Sequence, residues 1–115
     1  FGMIDSYDTI IAFSFSSKTS EVVNAVKICN KNNVSTIGIS GDSNSHLAKE
    51  CQIHLDICVN DEADHLNLAP TSSTTNMMAL CDALASSISE EKGFSRSDFH
   101  TFHPGGSLGN QLEDE

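Results

Sequence analysis

A short apolar run near the start of the chain reads Asp8-Thr9-Ile10-Ile11-Ala12-Phe13-Ser14. It is rich in β-branched residues and too short for a helix, which is typical of a buried strand. After a polar loop, residues 20–32 repeat apolar side chains at helical spacing. Thr19 or Ser20 is placed to cap this helix, and Glu21 falls in its first turn. The chain is therefore predicted to open with a strand followed by a helix.

The same alternation continues along the chain. The predicted strands are residues 8–14, 34–40 and 53–59, and the predicted helices are residues 20–32, 45–51 and 71–92. A polar loop over residues 60–70 precedes the last helix, which ends at Gly93. Strands that alternate with helices in this way indicate a parallel sheet covered on both faces. We expect an α/β fold, a three-layer αβα sandwich with a mostly parallel sheet.

Charge and composition exclude several classes of partner. The 115 residues carry six Lys and Arg against 16 Asp and Glu, a net charge of −10, which argues against binding to nucleic acid or to an anionic membrane. No apolar run reaches the roughly 18 residues that a membrane-spanning helix needs, and the first residues lack a signal-peptide pattern. The four cysteines show no paired spacing, and no carboxylate pattern completes a site around His100 and His103. We expect a cytoplasmic protein with reduced thiols and no metal.

Two hydroxyl-rich loops are candidates for ligand binding. The loop Ser14-Phe15-Ser16-Ser17-Lys18-Thr19 follows the first strand, and Thr71-Ser72-Ser73-Thr74-Thr75 opens the longest helix. In open α/β sheets ligands bind beyond the carboxyl ends of the strands, and a helix N-terminus offers N–H donors that suit a phosphate. The alternative is that these residues are ordinary helix caps and turn residues. The pattern predicts a small phosphate ester held without an arginine cluster.

A histidine and several glycines stand together near the end of the chain, in His103-Pro104-Gly105-Gly106-Ser107-Leu108-Gly109. The imidazole can titrate near neutral pH, and the glycines favour a loop that allows close backbone approach. Alternatively this segment is a loop with an exposed histidine and no function. Glu21 and Glu62 have a similar alternative interpretation as solvated charges.

Taken together, these motifs resemble the sugar isomerase (SIS) domain, and within it the arabinose 5-phosphate isomerase family of bacterial surface-sugar biosynthesis. The similarity covers nearly the whole chain. It is carried by Gly2-Met3-Ile4, the loop over residues 14–19, Glu62-Ala63, Leu68-Ala69-Pro70-Thr71-Ser72-Ser73-Thr74-Thr75, Gly93-Phe94, Asp98-Phe99 and residues 103–109.

The resemblance implies roles for particular residues. The phosphate would be bound by Ser14, Ser16, Ser17 and Thr19, the sugar pocket would be lined by Ser72 and Ser73, and the acid/base candidates would be His103, Glu62 and Glu21. Family enzymes interconvert ribulose 5-phosphate and arabinose 5-phosphate through a cis-enediol without a redox cofactor, and they are homo-oligomers, dimers or tetramers. Either His103 or Glu62 could be the base, because burial can tune both towards neutral pH, and we favour His103. Glu62 and Glu21 would then be proton shuttles or orienting groups.

The chain also departs from the family pattern. Phe15, Ser17 and Lys18 stand where the family has Asn, Gly and Glu, and Asp64-His65 replaces a common Cys-Pro. The family's first helix, strand and Gly-Lys-Ser-Gly-like loop are missing, as are the CBS modules that often follow, so residues 1–115 are expected to form a partial SIS domain. Three alternatives stay open: a non-catalytic phosphosugar sensor, an assembly fragment of an oligomer, and another SIS activity such as a phosphoheptose or amino-sugar isomerase.

Overall fold

Three parallel strands form one sheet in the computed structural model of the chain, which describes residues 1–16 and 19–113, the last of these in its backbone alone. The strands are β1 (Thr9–Phe13), β2 (Ser35–Ser40) and β3 (Ile53–Asp56), in the spatial order β1-β2-β3. Ile11 lies opposite Ile37, which in turn lies opposite Ile53. The predicted α/β class with a parallel sheet is confirmed.

The third strand ends earlier than its apolar sequence predicts. The N–H of Ile57 still donates to the Ser40 carbonyl at 3.0 Å, but Cys58 adopts a left-handed backbone with φ of 37°. The N–H of Cys58 turns back to the Asp56 carboxylate at 2.8 Å. A residue with positive φ cannot continue a strand, so β3 stops at Asp56 instead of extending to Val59.

Two helices connect the strands, as the sequence predicts. Helix α1 (Ser20–Lys31) begins after Thr19 and ends where Asn33 takes a φ of 58°, a conformation that asparagine tolerates better than most residues. Helix α2 (His46–Glu50) begins at Ser45, whose hydroxyl accepts the N–H of Ala48 at 3.1 Å. This hydrogen bond satisfies one of the unpaired donors of the first turn.

The core lies between α1, α2 and one face of the sheet. It is built from Ala12, Val23, Val26 and Leu47, with Val22 and Cys51 packed against it. Helix α2 comes so close to β2 that a Cβ on Gly38 would lie 2.8 Å from the sulfur of Cys51 and 3.3 Å from Leu47. A side chain at position 38 would therefore force the side chains of Cys51 and Leu47 to move.

The opposite face of the sheet carries two rows of apolar side chains that the strand register aligns. One row is Ile11, Ile37 and Ile53. The other row is Phe13, Ile39 and Leu55. We call this surface the isoleucine face. Ile11, Phe13 and Ile53 are 45%, 42% and 55% exposed, whereas Ile39 is fully buried. Apolar side chains are therefore in water along part of this face.

The chain divides into two compact units, Phe1–Leu80 and Cys81–Glu115. The long helix α3 (Ser72–Glu91) begins in the first unit and ends in the second. Its predicted end is confirmed, because Gly93 takes a φ of +65° and its N–H closes the last turn on the Glu90 carbonyl. None of the described helices is long and apolar enough to cross a bilayer.

The second unit contains two helices that the sequence patterns did not predict. Helix α4 (Arg96–Phe102) starts with a capping box in which Ser95 and Asp98 exchange hydrogen bonds. Helix α5 (Gly106–Glu113) occupies much of the segment for which a loop was expected, so that expectation is wrong over this part. Gly109 lies so close to the preceding turn that a Cβ there would be 2.7 Å from the carbonyl carbon of Pro104. The glycines of this segment thus permit a helix to fold against the turn before it.

Candidate functional site

The first hydroxyl loop lies at the carboxyl end of β1, as predicted. The N–H of Ser14 donates to the Ile39 carbonyl, and its hydroxyl donates to the hydroxyl of Thr19 at 3.3 Å. Ser14 is only 9% exposed, whereas Ser16 and Thr19 are exposed. Ser14 therefore positions Thr19, and the accessible hydroxyls are those of Ser16 and Thr19. Ser17 and Lys18, also expected in this site, lie outside the described residues.

The loop continues into the amino-terminal turn of α1. Thr19 occupies the N-cap position, and its carbonyl accepts the N–H of Val23. Glu21 is exposed in this turn, where its carboxylate accepts the hydroxyl of Ser20 at 3.2 Å. A negative group is favoured at this end of a helix, so the turn can hold either the Glu21 carboxylate or an external anion.

Phe15, which replaces the family's asparagine, packs on the loop after β2. A Cβ added to Gly41 would lie 2.6 Å from Cε2 of the Phe15 ring, and the N–H of Gly41 donates to the Phe15 carbonyl at 3.3 Å. The close approach requires glycine at position 41. The aromatic ring thus joins the loops that follow β1 and β2, a contact that the sequence patterns did not reveal.

Glu62 lies at the start of α3, where neighbouring residues hold its carboxylate. Its Oε2 atom accepts the N–H of Thr71 at 2.8 Å, the hydroxyl of Thr71 at 3.1 Å and the N–H of Ser73 at 3.1 Å. Two of these donors are backbone N–H groups at the helix start, where the helix dipole favours a negative charge. Glu62 therefore acts as an anionic cap on α3.

These hydrogen bonds lower the pKa of Glu62 from its ordinary 4.5 to about 2, with the Ser73 side chain as the main cause and the Thr71 contacts adding to it. Hydrogen bonds to the ionised form favour that form. Burial could have tuned the pKa of Glu62 towards neutrality, but its hydrogen bonds lower that pKa instead. In this arrangement Glu62 is a carboxylate at neutral pH and a weak proton acceptor.

A shallow, open surface cavity of about 560 Å³ lies beside this anchored carboxylate, and most of its lining residues are exposed. Its hydroxyl-bearing lining residues are Thr71, Ser72, Thr74 and Thr75. The volume falls in the range of about 300–1,000 Å³ that is typical of small-molecule sites. Ser72 is one of the residues that line this cavity, and its role in binding a sugar stays a prediction. Ser73 is only 2% exposed and contributes its N–H and hydroxyl to Glu62 instead.

The loop between β3 and α3 is held by its own side chains. Asp64 accepts the N–H of Leu66 at 2.8 Å through Oδ1, and those of Leu68 and Ala69 at 2.6 Å each through Oδ2. These contacts lower the pKa of Asp64, with the Leu66 N–H as the first cause. The sequence showed that this loop is unusually polar but gave no sign that one carboxylate collects three backbone donors.

His103 ends α4 in the second unit. Its Nδ1 lies 3.2 Å from the Phe99 carbonyl, and its ring stacks on Phe99 with centroids 4.2 Å apart and planes at 13°. A carbonyl can only accept a hydrogen bond, so the neutral ring carries its proton on Nδ1. The lone pair is therefore on Nε2 of an exposed imidazole, which is the form that a general base requires.

Two serine pairs also lie between β2 and β3, one with a histidine and one with an aspartate. The Ser40 hydroxyl lies 2.7 Å from Nε2 of His54, and Ser43 donates to the Asp56 carboxylate. Ser40 is completely buried, so no substrate can reach its hydroxyl as a nucleophile. These two hydrogen bonds therefore connect the end of β2 and the loop after it to β3. Among the described residues, no three His, Cys, Asp or Glu side chains are placed to hold a metal ion.

The structure thus brings together, in the first unit, a parallel sheet with hydroxyl-bearing loops at its carboxyl edge and a fixed carboxylate beside a cavity. These features define an α/β domain suited to a small anionic ligand. Residues 1–87 match the model of the SIS domain family, and the chain belongs to this family. The resemblance seen in the sequence is confirmed.

Known relatives share both the sequence and the fold. Arabinose 5-phosphate isomerase KdsD of Pseudomonas aeruginosa is 43% identical over 111 residues, and KdsD of Escherichia coli is 40% identical over 111 residues. A solved Escherichia coli protein in complex with arabinose 5-phosphate matches with a TM-score of 0.85 and 36% identity over 90% of this chain. A Listeria monocytogenes structure matches with a TM-score of 0.84 and 28% identity, also over 90%. The chain spans 34% of the length of the two KdsD proteins and 55% of each solved chain.

Proposed function

We propose that the full-length polypeptide containing these residues is a sugar-phosphate isomerase that interconverts ribulose 5-phosphate and arabinose 5-phosphate. The observation that carries this proposal is the hydroxyl-lined cavity beside the anchored Glu62 carboxylate at the start of α3. Its support from relatives is the 43% identity to an arabinose 5-phosphate isomerase. These residues would form part of a larger SIS domain, because the matched segment is about a third of each KdsD relative.

The reaction moves hydrogen within one substrate. A base removes a proton from carbon 1 of the ketose, the electron pair forms the double bond of a cis-enediol, and the oxygen on carbon 2 gains a proton. Return of a proton to carbon 2, with loss of the proton on oxygen 1, gives the aldose. Oxidation at carbon 1 balances reduction at carbon 2, so the chemistry requires no redox cofactor.

His103 is the favoured base in this scheme. Its Nδ1 proton is held by the Phe99 carbonyl, which leaves Nε2 to accept the proton from carbon. Glu62 is better suited to orienting the sugar, since a carboxyl group with a pKa of about 2 holds protons weakly at neutral pH. Glu21 stays a candidate for carrying protons between the two substrate oxygens.

The phosphate would bind at the first hydroxyl loop. Ser16 and Thr19 would donate hydroxyl hydrogens, Ser17 would join them, and Ser14 would hold Thr19 in place. Such neutral donors, together with N–H groups at the start of α1, bind an anion without adding positive charge. This arrangement is compatible with a chain whose net charge is −10.

Substitution of the base tests the function directly. The full-length protein should convert ribulose 5-phosphate to arabinose 5-phosphate, and His103→Ala should lower kcat by about 10²- to 10⁴-fold. His46→Ala, at an exposed histidine that begins α2, is the matched control and should retain activity. Product formation is followed by chromatography of the two pentose phosphates. Absence of turnover by correctly folded full-length protein would contradict the proposal.

A second candidate is a phosphosugar sensor that binds without turnover. The observation that favours it is Phe15, whose ring packs on Gly41 at a loop position where the isomerase family has asparagine. Titration calorimetry combined with product analysis separates the two functions. A sensor would bind ribulose 5-phosphate and release it unchanged, whereas the isomerase would yield a mixture of both sugars.

We also infer that the protein is cytoplasmic and forms a homo-oligomer, in which neighbouring chains supply groups to each site. The support is the resemblance to oligomeric family enzymes, whose sites lie near subunit contacts. Light scattering of the purified full-length protein gives its mass, and a monomeric mass would contradict the inferred assembly.

A further inference from the structure

The network of hydrogen bonds in the loop between β3 and α3 converges on one residue that has no assigned role. We propose that Asp64 is a positioning residue that holds this loop in the conformation in which Glu62 is anchored beside the cavity. The proposal rests on the proposed function in so far as Glu62 orients the sugar.

Asp64 organises the middle of the loop. Its carboxylate accepts three backbone N–H groups, from Leu66, Leu68 and Ala69, over distances of 2.6 to 2.8 Å. Hydrogen bonds to an ionised acceptor are shorter and stronger than those between neutral groups. The loop contains no helix or strand whose carbonyl groups could accept these N–H groups. The Asp64 carboxylate accepts them instead.

The middle of the loop is linked to Glu62 through Asn67. This residue lies among the donors that Asp64 binds and has a φ of 55°. Its Oδ1 accepts the N–H of Glu62 at 2.6 Å, and its Nδ2 donates to Asp61 at 2.7 Å. Displacement of residues 66–69 would therefore release the main chain of Glu62.

A second link runs through Thr71, a short distance after the last donor to Asp64. The Thr71 hydroxyl accepts the N–H of Ala63 at 2.7 Å and donates to the Glu62 carboxylate at 3.1 Å. The N–H of Thr71 also donates to Glu62, at 2.8 Å. Asp64 thus stabilises a closed ring of contacts in which Glu62 is held at its backbone and at its carboxylate.

The neighbouring His65 takes little part in this network. Its side chain is 87% exposed and has only a 4.0 Å contact to Asp64. His65 therefore offers a control position next to Asp64.

The test measures the pKa of Glu62 by carboxyl-carbon NMR and turnover of ribulose 5-phosphate in the full-length protein. Asp64→Ala and the isosteric Asp64→Asn should raise the Glu62 pKa by about one unit, because the loss of its positioned donors outweighs the loss of the repulsion between the two carboxylates. They should also lower kcat by about 10- to 100-fold with a smaller change in KM. His65→Ala is the control and should change neither the Glu62 pKa nor kcat.

Each outcome decides the proposal. An unchanged Glu62 pKa in a folded Asp64→Asn protein would overturn it, and so would full turnover despite a raised pKa. If the unsubstituted protein shows no turnover while the Glu62 pKa rises as expected, the positioning role stands and the isomerase function fails.

Discussion

At the scale of single residues, the environment of Glu62 decides which chemistry it can perform. Its carboxylate is bound by donors nine and eleven positions later in the chain, Thr71 and Ser73. Charge-assisted hydrogen bonds at a helix start favour the ionised carboxylate and lower the pKa of Glu62 to about 2. The donors around Glu62 thus make it a weak proton acceptor. Of the proposed acid/base residues, His103 has an exposed ring whose Nδ1 faces the Phe99 carbonyl, which leaves Nε2 for a substrate proton.

A pH-dependent contribution to stability follows from the lowered pKa of Glu62. A carboxyl group whose pKa is lower in the folded state stabilises that state above its ordinary pKa, and the stabilisation is lost as pH falls through the folded value. The free energy of unfolding should therefore decrease between about pH 4.5 and pH 2. Glu62→Gln should show a shallower decrease in urea denaturation across this range. The control is Glu91→Gln at the exposed end of α3, and an identical pH dependence in the Glu62 variant and the unsubstituted protein would contradict the assignment.

The residues of the candidate site were only partly predictable from sequence. The positions of Ser14, Thr19 and Ser72 follow from where the strands and the long helix end, which local patterns reveal. The lowered pKa of Glu62 could not be predicted, because it depends on how a loop folds back onto a helix start. The three donors that meet at Asp64 were missed for the same reason.

At the scale of elements, the strands and the first three helices follow local sequence. Runs of β-branched residues define β1 and β2, and apolar spacing defines α1 and α3. Helix α5 was missed because its segment is rich in glycine, which indicates a loop on intrinsic propensity alone. Its packing against the turn at Pro104 is a tertiary contact that overrides this propensity. For α4 a signal existed, since Ser95 and Asp98 have the spacing of a capping box.

The close approach of α5 to the preceding turn makes a prediction for Gly109. In Gly109→Ala, the added methyl group would lie 2.7 to 2.9 Å from backbone atoms of His103 and Pro104, so helix or turn must move. We expect a destabilisation of about 1–3 kcal/mol and altered amide NMR signals for residues 103–109. Gly105→Ala is the matched control, because a Cβ there meets no atom within 4 Å. Equal unfolding free energies for the two variants would contradict the tight contact.

At the scale of the whole molecule, an acidic chain is proposed to bind an anionic ligand. Long-range repulsion between a net charge of −10 and a phosphate opposes their approach. The donors proposed to overcome it are short-range hydroxyl and N–H groups at helix starts, which act only at contact. The negative net charge of the chain and the hydrogen-bond donors of the proposed site therefore act over different distances.

The isoleucine face has a consequence for the behaviour of residues 1–115 in solution. Partly exposed Ile11, Phe13 and Ile53 favour association, while electrostatic repulsion between chains opposes it. Added salt shortens the reach of that repulsion to about 3 Å at 1 M but leaves the apolar attraction intact. Association should thus increase with sodium chloride, as a rise in the hydrodynamic radius measured by dynamic light scattering. Ile11→Glu removes an apolar side chain and adds negative charge, so it should shift the onset of association to higher salt.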